Sequence, residues 1–229
     1  MSASYERNRD HVVESVKYAV SHPEFIDIFD PLNTKTAYGP DQSWFADTWL
    51  RRAACGPTSA SFIFSYLAHT RPALQPLYIG TDLTRQQFVR QMEAVSDFMR
   101  PGPMGVNRID LYTKGALQFA SEHGIVLTPH TFKVNGLLDG WRTDLRGLAD
   151  FVTGGLSLDT PVALLVLSKG KESRLQDWHW ITITEAEFAD GKIFATATDE
   201  GEKIHFDLSL WYQSTKMSGG LVYFSVAEN

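Results

Sequence analysis

Residues 51–67 read RRAACGPTSASFIFSYL, and this stretch contains the only cysteine of the 229-residue chain. Cys55 comes two residues before Pro57. Proline is favoured in the first turn of a helix because the N–H that it lacks would have no intrahelical partner there. Apolar side chains then recur at i,i+4 spacing, which is typical of a helix with an apolar face. We therefore predict a core helix that begins at Cys55 and ends near His69.

Cys55 is a candidate nucleophile because of its place in this helix. The N-terminus of a helix carries a partial positive charge, which favours a thiolate over a thiol. Gly56 gives the backbone freedom beside the sulfur, and we take it as a candidate substrate-binding residue. The alternative is that Cys55 is a small buried hydrophobe, which is the commoner role of a free cysteine.

The composition is that of a soluble globular protein, with 43% apolar and 21% charged residues. The net charge of −6 argues against a nucleic-acid binder, which needs clustered basic residues, and Arg51 with Arg52 is the nearest thing to a basic spot. A single cysteine allows no internal disulfide, which suits a reducing compartment. We find neither a secretory signal nor a run of about 18 apolar residues, so we expect a cytoplasmic protein that does not enter a membrane.

We expect one domain over residues 1–229, with helices ahead of an antiparallel sheet. The spacing of valines over 9–21 predicts an amphipathic helix, which would make residues 1–30 an accessory segment. The aromatic, irregular stretch 25–49 is typical of a structured loop layer. The helical part then covers 42–156 and the sheet part 157–229.

Two further helices are predicted at 84–99, where Thr84 opens a capping box, and at 107–123, where Asn107 is the cap. A short one covers 144–152 and ends at Gly154 and Gly155. The Gly/Pro-rich loop 101–105 is interpreted as a connector, although it could border a cleft. Strand patterns cover 125–134, 161–167, 177–188, 192–198, 203–206 and 219–226. This order of elements indicates an α+β fold.

His179 is the second candidate for chemistry. It lies in the sequence Trp178-His179-Trp180 at the start of a strand, and alternation places it on the same face as two isoleucines, towards the core helix. A solitary histidine there would be a satisfied core residue. Beside a helix-opening cysteine, a base on a rigid strand is the stronger reading. We expect Trp178 and Trp180 to shield the imidazole from water and to contact substrate.

Asp199 is the candidate acceptor for the other ring nitrogen of His179. Asp190-Gly191 predicts a hairpin turn after the histidine strand. The residue as far beyond this turn as His179 lies before it is Glu202, three positions after Asp199, so the contact requires a bulge or a diagonal pair. Glu200 competes but would face the other side. Asp199 could also simply start a turn.

In these residues the chain resembles the papain-like cysteine peptidase superfamily, and within it the bacterial branch of leader-cleaving peptidases of peptide (bacteriocin) exporters. The resemblance rests on Cys55-Gly56-Pro57 opening a helix, His179-Trp180 on a strand and a hairpin that ends in Asp199. It implies a papain-like fold in which a nucleophile helix packs on a C-terminal antiparallel sheet. It also implies a nucleophile, Cys55, a base, His179, and an orienting residue, Asp199, which together cleave a peptide or other amide.

The chain departs from this superfamily at the oxyanion donor. A glutamine usually stands a few residues before the cysteine, but Trp49 is found six residues before Cys55, and the nearest upstream glutamine is Gln42. Gln42 could reach the site through a longer loop, or another donor could work with the backbone N–H of Cys55. Since the loss of one oxyanion donor costs about 10²–10³ in turnover, an unreplaced donor would leave a slow or inactive protein.

Other site types lack their motifs. The sequence has no His-Glu-x-x-His, no paired cysteine ligands and no phosphate-binding or dinucleotide-binding glycine pattern, so we expect neither a metal nor a cofactor. Three hypotheses remain open. They are a cysteine hydrolase acting on a peptide or small amide, an acyltransferase to an amine with the same residues, and an inactive binding module. A Cys55 buried beneath Trp44 or Trp49 without a cleft would favour the last.

Overall fold

The computed structural model describes residues 15–31, 34–136 and 142–226. Within these residues the helices are α1 (Leu50–Ala53), α2 (Cys55–Thr70), α3 (Arg85–Phe98), α4 (Ile109–Glu122), α5 (Arg146–Ser157) and α6 (Leu208–Ser214). The strands are β1 (Val16–Ala19), β2 (Asp27–Asp30), β3 (Lys35–Tyr38), β4 (Leu127–Val134), β5 (Val162–Val166), β6 (His179–Ala189), β7 (Lys192–Asp199), β8 (Glu202–Asp207) and β9 (Gly219–Val226). This mixture confirms the predicted α+β class.

One antiparallel sheet organises the described part of the chain. Its strands follow the order β4-β9-β5-β6-β7-β8, and β1 also pairs with β6. The first half of β6 pairs with β5 and its second half with β1 on one side, while β7 pairs with its other side from Thr182 to Ala189. Strands β2 and β3 form a separate hairpin. Because β6 and β7 are antiparallel neighbours, the first residues of β6 lie beside the last residues of β7.

Helix α2 is buried from Cys55 to Ala68 and contacts α3, α4, β5 and β6. The predicted helix is therefore confirmed, but it is surrounded by protein on every side. Its small residues allow this close approach. Of the hydroxyls on its four buried serine and threonine side chains, those of Ser59 and Ser61 have hydrogen-bond partners, while those of Thr58 and Ser65 have none among the described residues. Ser59 Oγ, for example, lies 2.8 Å from Thr182 Oγ1 on β6 and 3.2 Å from the Tyr112 hydroxyl on α4.

The predicted N-terminal helix is wrong where the structure describes it. Residues 1–14 lie outside the described residues, but Val16–Ala19 is strand β1 and pairs with β6 from Val16 opposite Phe188. A valine pattern fits a helix by spacing alone, yet β-branched side chains favour strands. Residues 16–19 form a strand because the second half of β6 offers them backbone hydrogen-bonding partners on the side away from β7.

Glycines 154 and 155 do not end α5 but lie inside it. A Cβ at Gly155 would come within 2.6 Å of Val162 Cγ2 on β5, so the glycine allows the helix to approach the sheet. The expected caps also fail. Thr84 is the N-cap of α3 without a side-chain capping bond, and α4 begins at Ile109 with Arg108, not Asn107, at its N-cap.

Besides β1, four of the helices and strands were not predicted, namely β2, β3, α6 and the helix α1 just before Cys55. The β2–β3 hairpin lies within the stretch expected to be a loop layer, and α6 follows directly on β8. Asp207 caps α6, since its side chain accepts a hydrogen bond from the Leu210 N–H at 2.8 Å. Each of these elements is short, and short elements carry little periodic signal.

Candidate active site

Cys55 is the first residue of α2 and is 8% exposed. The N-terminus of a helix carries a partial positive charge, so the sulfur of Cys55 lies at the end of α2 that stabilises a negative charge. The next residue, Gly56, is buried, and a Cβ there would lie 2.9 Å from Val106 Cβ. The glycine therefore serves the close packing of α2 against the loop that contains Val106.

His179 and Asp199 lie side by side where β6 begins and β7 ends. His179 opens β6 and Asp199 ends β7, and His179 Nε2 lies 2.6 Å from Asp199 Oδ1. Both side chains are buried, at 8% and 6% exposure. The pairing register shifts by one residue between Ile183 and Glu185, and beyond this bulge the two side chains are diagonal neighbours. The bulge accounts for one residue and the diagonal contact for two residues of the three-residue gap that the sequence shows, so the structure combines the two alternatives.

The electrostatics of His179 are set by burial and two partners. Burial lowers the pKa of the imidazole, but the hydrogen bond to Asp199, the hydrogen bond to Cys55 and the charges of both partners outweigh it and raise the pKa from 6.5 to about 10. Since Nε2 is used by Asp199, Nδ1 is the ring nitrogen left for the sulfur. The imidazole of His179 therefore lies between a carboxylate and a sulfur, and both partners favour its protonated form.

Gln42 lines a small cavity of about 20 Å³ together with Cys55, His179 and Asp199. It begins a short 3₁₀ helix, Gln42–Trp44, that is capped by Asp41. Its Nε2 lies 3.4 Å from Glu200 Oε1. Its Oε1 is buried without a hydrogen-bond partner among the described residues. Gln42 is thus beside the sulfur, with its donor group turned towards Glu200.

Glu200 does not take the place of Asp199. It stands in the turn after β7 with φ of +47°. Its carboxylate accepts hydrogen bonds from the side-chain amides of Gln42, at 3.4 Å, and Gln176, at 3.3 Å. Glu200 therefore ties the loop before β6 to the segment before α1, across the rim of the small cavity.

A cleft of about 430 Å³ opens on the other side of Cys55. Its walls are α1, the loop 103–107, β5 and the residue before His179. Three large apolar side chains on these walls are exposed, namely Trp49 (45%), Met104 (56%) and Trp178 (44%). The Gly/Pro-rich loop thus borders a cleft. Apolar side chains exposed around a concave site are typical of ligand-binding surfaces.

The two tryptophans beside His179 have different surroundings. Trp178 lines the cleft, and its φ of +59° is uncommon for a bulky residue. Trp180 is 3% exposed, stacks on Tyr112 with ring centroids 4.2 Å apart and donates a hydrogen bond to the Val106 carbonyl. Backbone strain concentrates at functional sites, which agrees with the position of Trp178.

Sequence reasoning assigned no role in the site to Arg52, to Met104 or to Leu165 and Leu167, which also line the cleft. Only the Gly/Pro pattern of the loop after α3 hinted at this wall. Arg52 lies on α1, close to the cysteine in sequence, but Leu165 on β5 and Leu167 just after it are remote, and no spacing rule connects them with the cysteine. Only the fold brings them together.

Searches for other kinds of site and for relatives give negative findings. Among the described residues, no group of three or more His, Cys, Asp or Glu side chains is placed to hold a metal ion. No helix in the described ranges has the length and apolar character needed to cross a membrane. No protein-family model, curated protein or solved structure matches the chain.

Proposed function

We propose that this protein is a papain-like cysteine hydrolase that cleaves a peptide or other amide bond through Cys55. The observation that carries the proposal is the chain of contacts from the Cys55 sulfur through His179 to Asp199, built on three separate elements and placed between a small cavity and an open cleft. A buried, structural cysteine needs neither an imidazole beside it nor a carboxylate behind that imidazole.

In the proposed reaction, the Cys55 thiolate attacks the carbonyl carbon of the scissile amide, and the carbonyl electron pair moves to oxygen. The oxyanion then collapses as the C–N bond breaks, and the amine takes the proton of His179 Nδ1. Water attacks the resulting thioester while neutral His179 removes its proton. The sulfur leaves as a thiolate, and the acid product is released with the imidazolium restored.

The charge of Cys55 helps this sequence. It is one of the contributions that raise the pKa of His179, and it disappears when the sulfur forms a covalent bond. The imidazolium therefore becomes a stronger acid at the step in which the leaving amine needs a proton. Asp199 holds the ring throughout, because its contact with Nε2 does not depend on the state of the sulfur.

The backbone N–H of Cys55 and the side-chain amide of Gln42 are the proposed oxyanion donors. The buried Oε1 of Gln42 has no partner among the described residues, and rotation of the amide group would exchange it for the donor Nε2. Such a rotation breaks the long contact with Glu200. Gln42 would thus supply, from thirteen residues upstream, the donor that is missing at Trp49.

The test is the rate at which iodoacetamide alkylates Cys55 near pH 7, followed by mass spectrometry at this single cysteine. We expect Cys55 to react faster than N-acetylcysteine. The substitution His179→Gln should remove this advantage, whereas the matched control His130→Gln on β4 should keep it. Cys55→Ala should abolish amidase activity on a fluorogenic peptide library. An alkylation rate no higher than that of the free thiol would refute the proposal.

A second candidate, a binding module of the same fold, is favoured by one observation. Gln42 Nε2 is turned towards Glu200 rather than towards the sulfur. If this arrangement persists with ligand, the oxyanion has one donor fewer and turnover falls by about 10²–10³. The module would bind peptides in the cleft with the same affinity in wild type and Cys55→Ala and cleave none, which distinguishes it from the hydrolase.

A further inference from the structure

Arg52 is the one charged side chain among the described residues that line the cleft beside Cys55, and most of the other lining side chains are apolar. Arg52 lies on α1, three residues before the sulfur, and is exposed. The neighbouring Arg51 is used within the fold, because the Arg51 guanidinium donates hydrogen bonds to the carbonyls of Phe45 and Ala46. Within the described part of the chain the Arg52 side chain has no hydrogen bond or ion pair, so its five N–H donors have no acceptor there and can bind a ligand.

Most arginines of the described part are engaged in the fold. Arg71 and Arg142 donate to backbone carbonyls, while Arg85, Arg108 and Arg146 pair with aspartates. Arg174 resembles Arg52 in being exposed without a side-chain partner among these residues, but it does not line the cleft. Arg52 is therefore distinguished by its location, and Arg174 is its natural control.

We propose that Arg52 recognises a carboxylate of the substrate, and that the substrate is an amide with an apolar group next to a negative charge. This inference rests on the proposed function of Cys55. A guanidinium fork matches a carboxylate in two parallel hydrogen bonds. The apolar group would pack between Trp49 and Trp178, whose exposed rings flank the cleft. Because the whole chain carries a net charge of −6, Arg52 attracts the anion only at short range.

The first experiment needs no substrate. Iodoacetate and iodoacetamide alkylate a thiolate by the same displacement, and only iodoacetate carries a carboxylate. The ratio of their rates at Cys55 thus reports attraction of an anion to the cleft. We expect Arg52→Gln to lower this ratio by about two- to fivefold, the effect of one exposed ion pair. Arg52→Lys should lower it less, and Arg174→Gln should leave it unchanged.

The second experiment identifies the source of the carboxylate by protection of Cys55 from iodoacetamide. N-acetyl-leucine against N-acetyl-leucinamide tests a terminal carboxylate, and acetyl-glutamyl-leucinamide against acetyl-glutaminyl-leucinamide tests an acidic side chain. Protection by the charged member of either pair, lost in Arg52→Gln and kept in Arg174→Gln, supports the proposal and names the source. Equal protection by charged and neutral members, or a preference that survives Arg52→Gln, overturns it. The alkylation rate with iodoacetamide alone tests the nucleophile separately.

Discussion

The substitution Asp199→Asn removes the charge behind His179 and keeps the shape of the side chain. The amide oxygen can still accept a hydrogen bond from Nε2 at the observed 2.6 Å, so the ring keeps its orientation. What is lost is the charge assistance of a buried contact, since both side chains are less than a tenth exposed. The substitution therefore isolates the electrostatic part of the Asp199 contribution.

The rise of the His179 pKa from 6.5 to about 10 bounds the effect. At 1.36 kcal/mol per pH unit it corresponds to at most about 5 kcal/mol, shared between Asp199 and Cys55. A raised pKa means that the folded state binds the proton more tightly. The stabilisation is thus fully present below pH 6.5 and is lost as pH rises through about 10. In Asp199→Asn we expect the pKa of His179 to fall back towards 6.5, because burial and Cys55 remain as the only large contributions.

Two measurements check this. NMR titration of the His179 ring gives the pKa directly, and urea unfolding between pH 6 and 10 should show the stability difference between wild type and Asp199→Asn shrinking as pH rises. Asp190→Asn, in the exposed β6–β7 turn, makes the same change of net charge and should leave the His179 titration unaltered. If His179 titrates at the same pH in wild type and Asp199→Asn, the proposed role of the carboxylate is wrong.

Two other predictions concern the oxyanion donor and the packing of α5. Gln42→Ala should lower kcat by about 10²–10³ with little change in KM, because the donor acts on the oxyanion and not on the ground state. An unchanged kcat on any cleaved peptide would exclude Gln42. Gly155→Ala should destabilise the fold by about 1–3 kcal/mol, because the new Cβ meets Val162 Cγ2 at 2.6 Å. Gly147→Ala in the same helix, where the nearest atom is 3.4 Å away, should stabilise it by up to about 1 kcal/mol. Urea denaturation measures both, and equal effects of the two substitutions would contradict the packing argument.

The sequence predicted best what depends on local signals. The helix that begins at Cys55 and the hairpin turn at Asp190-Gly191 follow from residue chemistry at fixed spacing, and the structure has both. The arithmetic of the hairpin predicted that a bulge or a diagonal contact would bring Asp199 beside His179, and the structure has both. The peptidase activity inferred from these residues stays a prediction.

What could not be predicted depends on contacts between distant segments. Strand β1 forms because β6 has a free side for it, which no local spacing of valines reveals. The sequence predicted a helix end at Gly155, because a glycine that allows close packing cannot be distinguished in sequence from one that ends a helix. The place of Arg52 in the cleft depends on a loop and a strand that are remote in sequence. Tertiary context overrides propensity in each case.

The extra residue of β6, between Ile183 and Glu185, has a consequence for how this hairpin can change in evolution. Side chains of a strand alternate in direction, so gaining or losing a single residue within the paired part of either strand between His179 and Asp199 would turn one of these side chains away from the other. Homologous hairpins with strands of different length should therefore differ by an even number of paired residues between histidine and aspartate, or should compensate an odd change with another bulge. Whether the number of paired strand residues between the histidine and the aspartate is odd or even is therefore a criterion for recognising distant relatives.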